Sequence, residues 1–154
     1  MKSERIRRAT GMSPWGIVAL AGLGAPRALA HDVGPVDATV NAILVFVPLV
    51  IWLVVVLWRR VPNAFVTLLV VGLVYGLVLG VIHQVLWTHA YDGDPPALGG
   101  NLEGRLPSVV EDVVIRGFAL VSSVVTGVLV GAVVGAVGWL LARAVRVPQS
   151  PRQD

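Results

Sequence analysis

The chain has 154 residues, of which 56% are hydrophobic and 14% charged, and it contains no cysteine. Soluble domains are about 45–50% apolar and about 25% charged, so this composition excludes most soluble folds and indicates a chain embedded in lipid. The absence of cysteine excludes disulfide frameworks, iron–sulfur clusters and zinc sites built on thiolates.

Residues 1–30 have the three-part pattern of a secretory signal peptide. Lys2, Arg5, Arg7 and Arg8 make a basic start, and an apolar stretch of 11 residues follows, which Pro26 and Arg27 end. Ala28-Leu29-Ala30 then offers small residues for a signal peptidase. The sequence therefore predicts cleavage after Ala30, which makes His31 the new N-terminus and 31–154 a single membrane domain. An uncleaved first helix is the alternative.

Three uncharged stretches follow, and each exceeds the roughly 20 residues that cross about 30 Å of hydrocarbon. In lipid the backbone must satisfy its own hydrogen bonds, which favours helices. The sequence predicts an all-α integral membrane protein, an antiparallel bundle of three transmembrane helices over about 38–58, 62–87 and 108–142. An external loop over 88–107 and a tail over 143–154 complete this organisation. Helix three is predicted to begin at Ser108, where Ser108-Val109-Val110-Glu111 is typical of a capping box.

The charges between the stretches predict the orientation. Arg59 and Arg60 lie between stretches one and two, and three more arginines follow stretch three. The segments before stretch one and between stretches two and three carry mostly acidic residues. Cytoplasmic loops carry an excess of Lys and Arg. We therefore expect a multi-pass cell-membrane protein with a cytoplasmic C-terminus and with residue 31 and the 88–107 loop outside. From His31 onward there are seven basic and eight acidic residues, a net charge of −1, which argues against nucleic-acid binding.

Glycine recurs every fourth residue in two of the stretches, a pattern typical of a glycine zipper. Stretches two and three carry these glycines on one helical face each: Gly72, Gly76, Gly80, Gly127, Gly131 and Gly135. In lipid, small residues allow close backbone approach between helices. The sequence predicts that these faces pack on each other or across a homo-oligomer.

His83 shares the glycine face of stretch two, in the outer half of the bilayer. Its depth matches that of Asn41, Ser122 and Ser123, so we expect an intramembrane polar cluster of these four residues. Ionisable residues within a membrane are costly and are candidates for function. The structural alternative is that a neutral His83 only joins helices through hydrogen bonds.

All three histidines, His31, His83 and His89, are predicted on the outer side. A mature N-terminal His31 would offer an amino group and an imidazole to one metal ion. This chelate resembles the copper "histidine brace" of lytic polysaccharide monooxygenases and copper-binding periplasmic proteins, and the resemblance implies a second histidine ligand, His89 or His83. Such nitrogen ligands suit Cu or Zn.

No nucleotide-binding, metalloprotease or serine-hydrolase motif occurs in the sequence, so we expect no enzyme activity. The favoured interpretation is a small polytopic membrane protein with a structural, assembly or accessory-subunit role and no cofactor, which acts in the lipid bilayer as a homo-oligomer or in a larger membrane complex. Metal handling outside the cytoplasm and a small oligomeric channel or transporter are the alternatives. The single Lys against eleven Arg suggests a prokaryotic source.

Overall fold

A computed structural model describes residues 2–91, 93–94 and 96–145. The prediction of an all-helical chain is confirmed for these residues, which contain no strand. Seven α-helices follow one another along the chain, and a short 3-10 helix lies in the loop after the sixth: α1 Lys2–Thr10, α2 Pro14–Gly22, α3 Ala25–Val33, α4 Ala38–Trp58, α5 Ala64–Val85, α6 Trp87–Ala90, the 3-10 helix Gly100–Leu102 and α7 Ser108–Val145. The predicted tail beyond 145 lies outside the described residues.

Three of these helices, α4, α5 and α7, are long and apolar enough to cross a membrane, as the sequence predicted. The apolar window of α5 is 44% buried, compared with 28% for α7 and 17% for α4. Helix α5 is therefore the centre of the bundle. The outward faces of α4 and α7 present large apolar side chains such as Phe46 and Phe118, which suits contact with lipid.

Local sequence signals account for several helix ends. The carboxylate of Asp37 accepts hydrogen bonds from the first backbone N–H groups of α4, and the Asn63 side chain does the same for α5. Helix α4 runs through Pro48 without ending. At the start of α7, the Glu111 carboxylate accepts a hydrogen bond from the Leu98 N–H group in the preceding loop. Glu111, which the sequence analysis paired with Ser108 in a capping box, thus ties the preceding loop to α7, and Ser108 is the first residue of the helix.

The N-terminal segment packs into the same core as the long helices. Met12, Ile17, Leu20 and Ala21 are buried there. The Trp52 indole N–H donates a hydrogen bond to the Leu20 carbonyl at 2.7 Å, and the bond is buried. A segment that the sequence assigns to a leader therefore supplies part of the core.

The predicted cleavage position after Ala30 lies inside helix α3. Pro26 and Arg27, which looked like the end of the apolar stretch, lie in the first turn of α3. Proline is tolerated there because its missing N–H needs no partner within the helix. The chain thus forms two short helices, α2 and α3, joined at Leu23 and Gly24.

Candidate functional site

The two glycine-rich faces meet where α5 crosses α7. A Cβ atom added at Gly76 would lie 2.7 Å from the Ser123 carbonyl oxygen, and one at Gly131 would lie 2.8 Å from that of Leu68. Real Cβ atoms do not approach backbone this closely, so a larger residue would force the helices apart. Gly72 and Gly127 are confined still more tightly, each by the backbone of the other. The contact lies within one chain.

At the two ends of this contact, which we call the glycine seam, Gly80 and Gly135 are less tightly enclosed by backbone. A Cβ at Gly80 would meet the flexible end of Leu120, and one at Gly135 would lie 3.0 Å from the Phe65 carbonyl oxygen. All six glycines singled out in the sequence therefore face a neighbouring helix. The closest approach is at the middle of the seam, around Gly72 and Gly127.

His83 is paired with Asp32, a residue that the sequence analysis did not include in the cluster. Its Nδ1 lies 2.6 Å from the Asp32 Oδ2, so the imidazole N–H donates to the carboxylate. The Asp32 side chain is only 5% exposed and that of His83 is 30% exposed. A buried carboxylate requires such a partner, and the bond joins α3 to α5.

This pair lines a cavity of about 540 Å³ at the end of the bundle. Ser122 and Ser123 of α7 line it as well, so the structure brings them into the same cavity as His83. The Ser123 hydroxyl donates to the Ala119 carbonyl of its own helix at 2.8 Å. Asn41 is half-buried on α4 and is not among the lining residues of this cavity.

The three histidines are not gathered around one point. His31 lines the cavity, with its Nδ1 3.6 Å from the Asp32 Oδ1 and its side chain 72% exposed. His89 is exposed on α6 and lies outside the cavity lining. Within the described part of the chain, no group of three or more His, Cys, Asp or Glu side chains is arranged to hold a metal ion. Cu or Zn binding stays a prediction of the sequence.

A second cavity, of about 230 Å³, lies deeper in the bundle between α3, α4, α5 and α7. Arg27 lines it together with Trp52 and Tyr75, whose rings make an edge-to-face contact at 5.7 Å. The Arg27 Nε is buried and has no hydrogen-bond partner among the described residues. Sequence reasoning treated Arg27 as the end of the leader's apolar stretch, although an isolated arginine within a membrane-embedded segment is itself a candidate for function.

The two ends of the bundle carry further polar contacts. The Arg116 guanidinium lies over the Trp87 ring, 4.9 Å from its centroid, and that of Arg143 lies 4.6 Å from the Trp139 centroid. Asp37 is fully exposed, and its pKa is lowered because the Thr39 and Val40 N–H groups donate to its carboxylate. These contacts stabilise helix ends.

The chain matches no family model, and comparison with curated proteins and with solved structures gives no significant match.

Proposed function

We propose that this chain is a small multi-pass membrane protein with a structural role, as an assembly factor or an accessory subunit of a larger membrane complex. The observation that supports this proposal most directly is the glycine seam between α5 and α7. Close backbone contact in lipid gives a stable helix pair without any hydrophobic driving force. Because the seam is closed within one chain, a partner would contact an outward apolar face of the bundle, such as those of α4 and α7.

The N-terminal segment belongs to this bundle in our proposal. Residues 12–33 begin beside the α4–α5 turn, where Gly11 lies against Val61 and Pro62, and end beside His83. As two short helices they cover about 30 Å, the thickness of the hydrocarbon core. We infer that the segment is retained as a first membrane crossing, which is the alternative to cleavage that the sequence left open.

The proposed orientation follows from the charges at the two ends of the bundle. Arg7 and Arg8 of α1 share an end with Arg59, Arg60 and Arg143. The opposite end carries the acidic loop between α6 and α7 and the start of α7. The positive-inside rule then places the arginine-rich end in the cytoplasm, with both termini there and the loop outside.

Topology reporters test this arrangement. A reporter active only in the cytoplasm, fused before α1 or after residue 154, should give signal, and the same reporter inserted at Gly100 should not. Signal from the Gly100 insertion would contradict the orientation. Signal from the C-terminal fusion alone would retain the orientation but contradict the retained N-terminal crossing.

Complementation tests the structural role. In the organism that encodes the chain, deletion of its gene should lower the abundance of a membrane complex that co-purifies with the tagged protein. The wild type and His83→Gln, which keeps a hydrogen-bond donor, should restore the complex. The double variant Gly76→Leu/Gly131→Leu, which separates α5 from α7, should not. Restoration by the glycine variant but not by His83→Gln would contradict a structural role and favour chemistry at His83.

Particle mass in mild detergent tests the kind of assembly. We expect a particle heavier than one chain of 16.3 kDa plus its detergent. If the particle contains only copies of this chain, the contact uses outward faces of the bundle, such as those of α4 and α7, because the seam is occupied. A monomer under all mild conditions would contradict the subunit proposal.

A further inference from the structure

The deeper cavity lies near the middle of the membrane-crossing part of the bundle. Pro48 is the central residue of the 21-residue helix α4, and Tyr75 lies near the centre of the 22-residue helix α5; both line the cavity. Arg27 of α3 faces the same space. A guanidinium is thus held at a depth where the surroundings are hydrocarbon and protein.

The charge of Arg27 has no partner of opposite charge among the described residues. No carboxylate oxygen among the described residues lies within 4.0 Å of its guanidinium, and the nearby Asp32 is paired with His83 and His31. Its Nε is buried without a hydrogen-bond partner in the described protein. A guanidinium stays charged, and a charge within a membrane is costly unless it is paired or hydrated. An anion from outside the described residues would balance the charge of Arg27.

The remaining walls define what that anion is attached to. Leu44, Leu49 and Val130 make most of the lining apolar. The Trp52 N–H group already donates to the Leu20 carbonyl, so it is not available to a ligand. Tyr75 and Thr126 add two hydroxyl groups to the lining. One cation and two hydroxyls on a mostly apolar wall are complementary to an amphiphile with one negative charge and a hydrocarbon body.

We propose that this cavity binds a fatty acid, with the carboxylate on the Arg27 guanidinium and the alkyl chain against the apolar wall formed by α4 and α7. A planar guanidinium matches a carboxylate through two parallel hydrogen bonds. A phospholipid phosphate fits less well, because headgroups lie at the membrane surface, about 15 Å from the middle of the hydrocarbon core. The site rests on the retained N-terminal crossing, because Arg27 belongs to that segment.

Equilibrium binding of labelled dodecanoate to the full chain in phosphatidylcholine nanodiscs tests the site, in buffer well above the usual carboxylic acid pKa. The wild type should bind dodecanoate saturably. Its affinity for dodecanol, which has the same alkyl chain without the charge, should be lower by at least about tenfold. Arg27→Gln should weaken dodecanoate binding by about tenfold or more, and Arg27→Lys should weaken it less. Arg105→Gln removes one positive charge from the exposed loop and should leave binding unchanged.

Several results would overturn the site. The first is dodecanoate uptake by the wild type that does not saturate, and the second is equal affinity of the wild type for dodecanoate and dodecanol. The third is an affinity of Arg27→Gln for dodecanoate that equals that of the wild type. The first two use only the wild type, so they decide the question even if Arg27→Gln does not fold. Sequencing the N-terminus of the same preparation separates the two proposals: a chain that starts at His31 lacks Arg27 and contradicts retention, whereas an intact segment without binding contradicts only the fatty-acid site.

Discussion

The hydrogen bond between His83 and Asp32 gives the first prediction at the residue scale. His83→Leu leaves a carboxylate that is 5% exposed without its donor, and we expect the free energy of unfolding to fall by about 1–3 kcal/mol. His83→Gln should retain most of the stability, because an amide N–H can still donate to Asp32. Unfolding in sodium dodecyl sulfate, followed by circular dichroism, measures both.

His89→Leu is the matched control for this pair. His89 is exposed, so its loss should change the free energy of unfolding little. The interaction would be refuted if His83→Leu and His89→Leu were equally stable. Adding Asp32→Leu to His83→Leu should recover part of the loss, since no buried carboxylate then lacks a partner.

Asp37 gives a pH-dependent prediction. Its pKa is lowered from 3.8 by the N–H groups at the start of α4, so the folded protein binds this proton less readily than the unfolded chain. The stabilisation is present above pH 3.8 and is lost as the pH falls through the lower pKa of the folded state. A carboxyl NMR titration should place the pKa of Asp37 below 3.8, and Asp37→Asn should keep the helix cap without this pH dependence.

An Asp37 pKa at or above 3.8 would mean that the two N–H groups do not stabilise its charge. An Asp37→Asn variant with the same loss of stability between pH 4 and pH 2 as the wild type would assign that loss to other carboxylates.

Sequence reasoning at the residue scale found His83 but not its partner. The face and depth of His83 follow from helical spacing, which is local. The position of Asp32 depends on how α3 packs against α5, and these residues are 51 positions apart in the chain. No local pattern predicts such a pairing, and the serines and Asn41 were chosen on depth alone.

At the element scale, the glycine seam predicts that alanine substitution at two glycines of α7 changes the stability of the protein differently. A Cβ at Gly131 would be 2.8 Å from the Leu68 carbonyl oxygen, whereas a Cβ at Gly117 has nothing within 4 Å. Alanine favours a helix equally at both positions, so the difference between the variants isolates the contact. Gly131→Ala should be less stable than Gly117→Ala by about 1–3 kcal/mol.

Thermal unfolding and denaturation in sodium dodecyl sulfate measure this difference. Equal stability of the two alanine variants would mean that the α5 and α7 backbones are not in contact at Gly131.

A disulfide provides a second check on the helix pair. A Cβ at Gly138 of α7 would lie 3.8 Å from the Cβ of Ala64 of α5, the usual separation across a disulfide. The chain has no native cysteine, so Ala64→Cys/Gly138→Cys should give one intrachain product on oxidation, read as a mobility shift on a non-reducing gel. Ala64→Cys/Gly117→Cys should give none. Crosslinking of the second pair alone would contradict the register of α5 and α7.

The sequence predicted the long helices better than the short ones. Hydropathy is a sum over residues in a window, so α4, α5 and α7 were visible without any tertiary information. The segment of α2 and α3 was not predicted as part of the bundle, because Pro26 and Arg27 are locally typical of the end of an apolar stretch. Their role as the start of a second short helix depends on packing against α5, as does the burial of Leu20 and Ala21.

On the scale of the whole molecule, the N-terminal segment decides the architecture. With it the bundle has four crossings and both ends of the chain on one side. Without it the core loses the buried side chains of α2, the Trp52 N–H loses the Leu20 carbonyl, and Arg27 is absent. An unpaired buried indole N–H would cost about 1–3 kcal/mol. The packing therefore favours a retained segment.

The intact mass of the C-terminally tagged protein, isolated from membranes of cells with an active signal peptidase, tests this claim most directly. Our account predicts a chain that still contains residues 12–30, with no free amino group at His31. Ala30→Arg, which blocks signal peptidase, should then leave the mass unchanged except for the substitution itself. A wild-type chain that begins at His31, and a longer Ala30→Arg chain, would contradict the retained crossing and with it the four-crossing bundle.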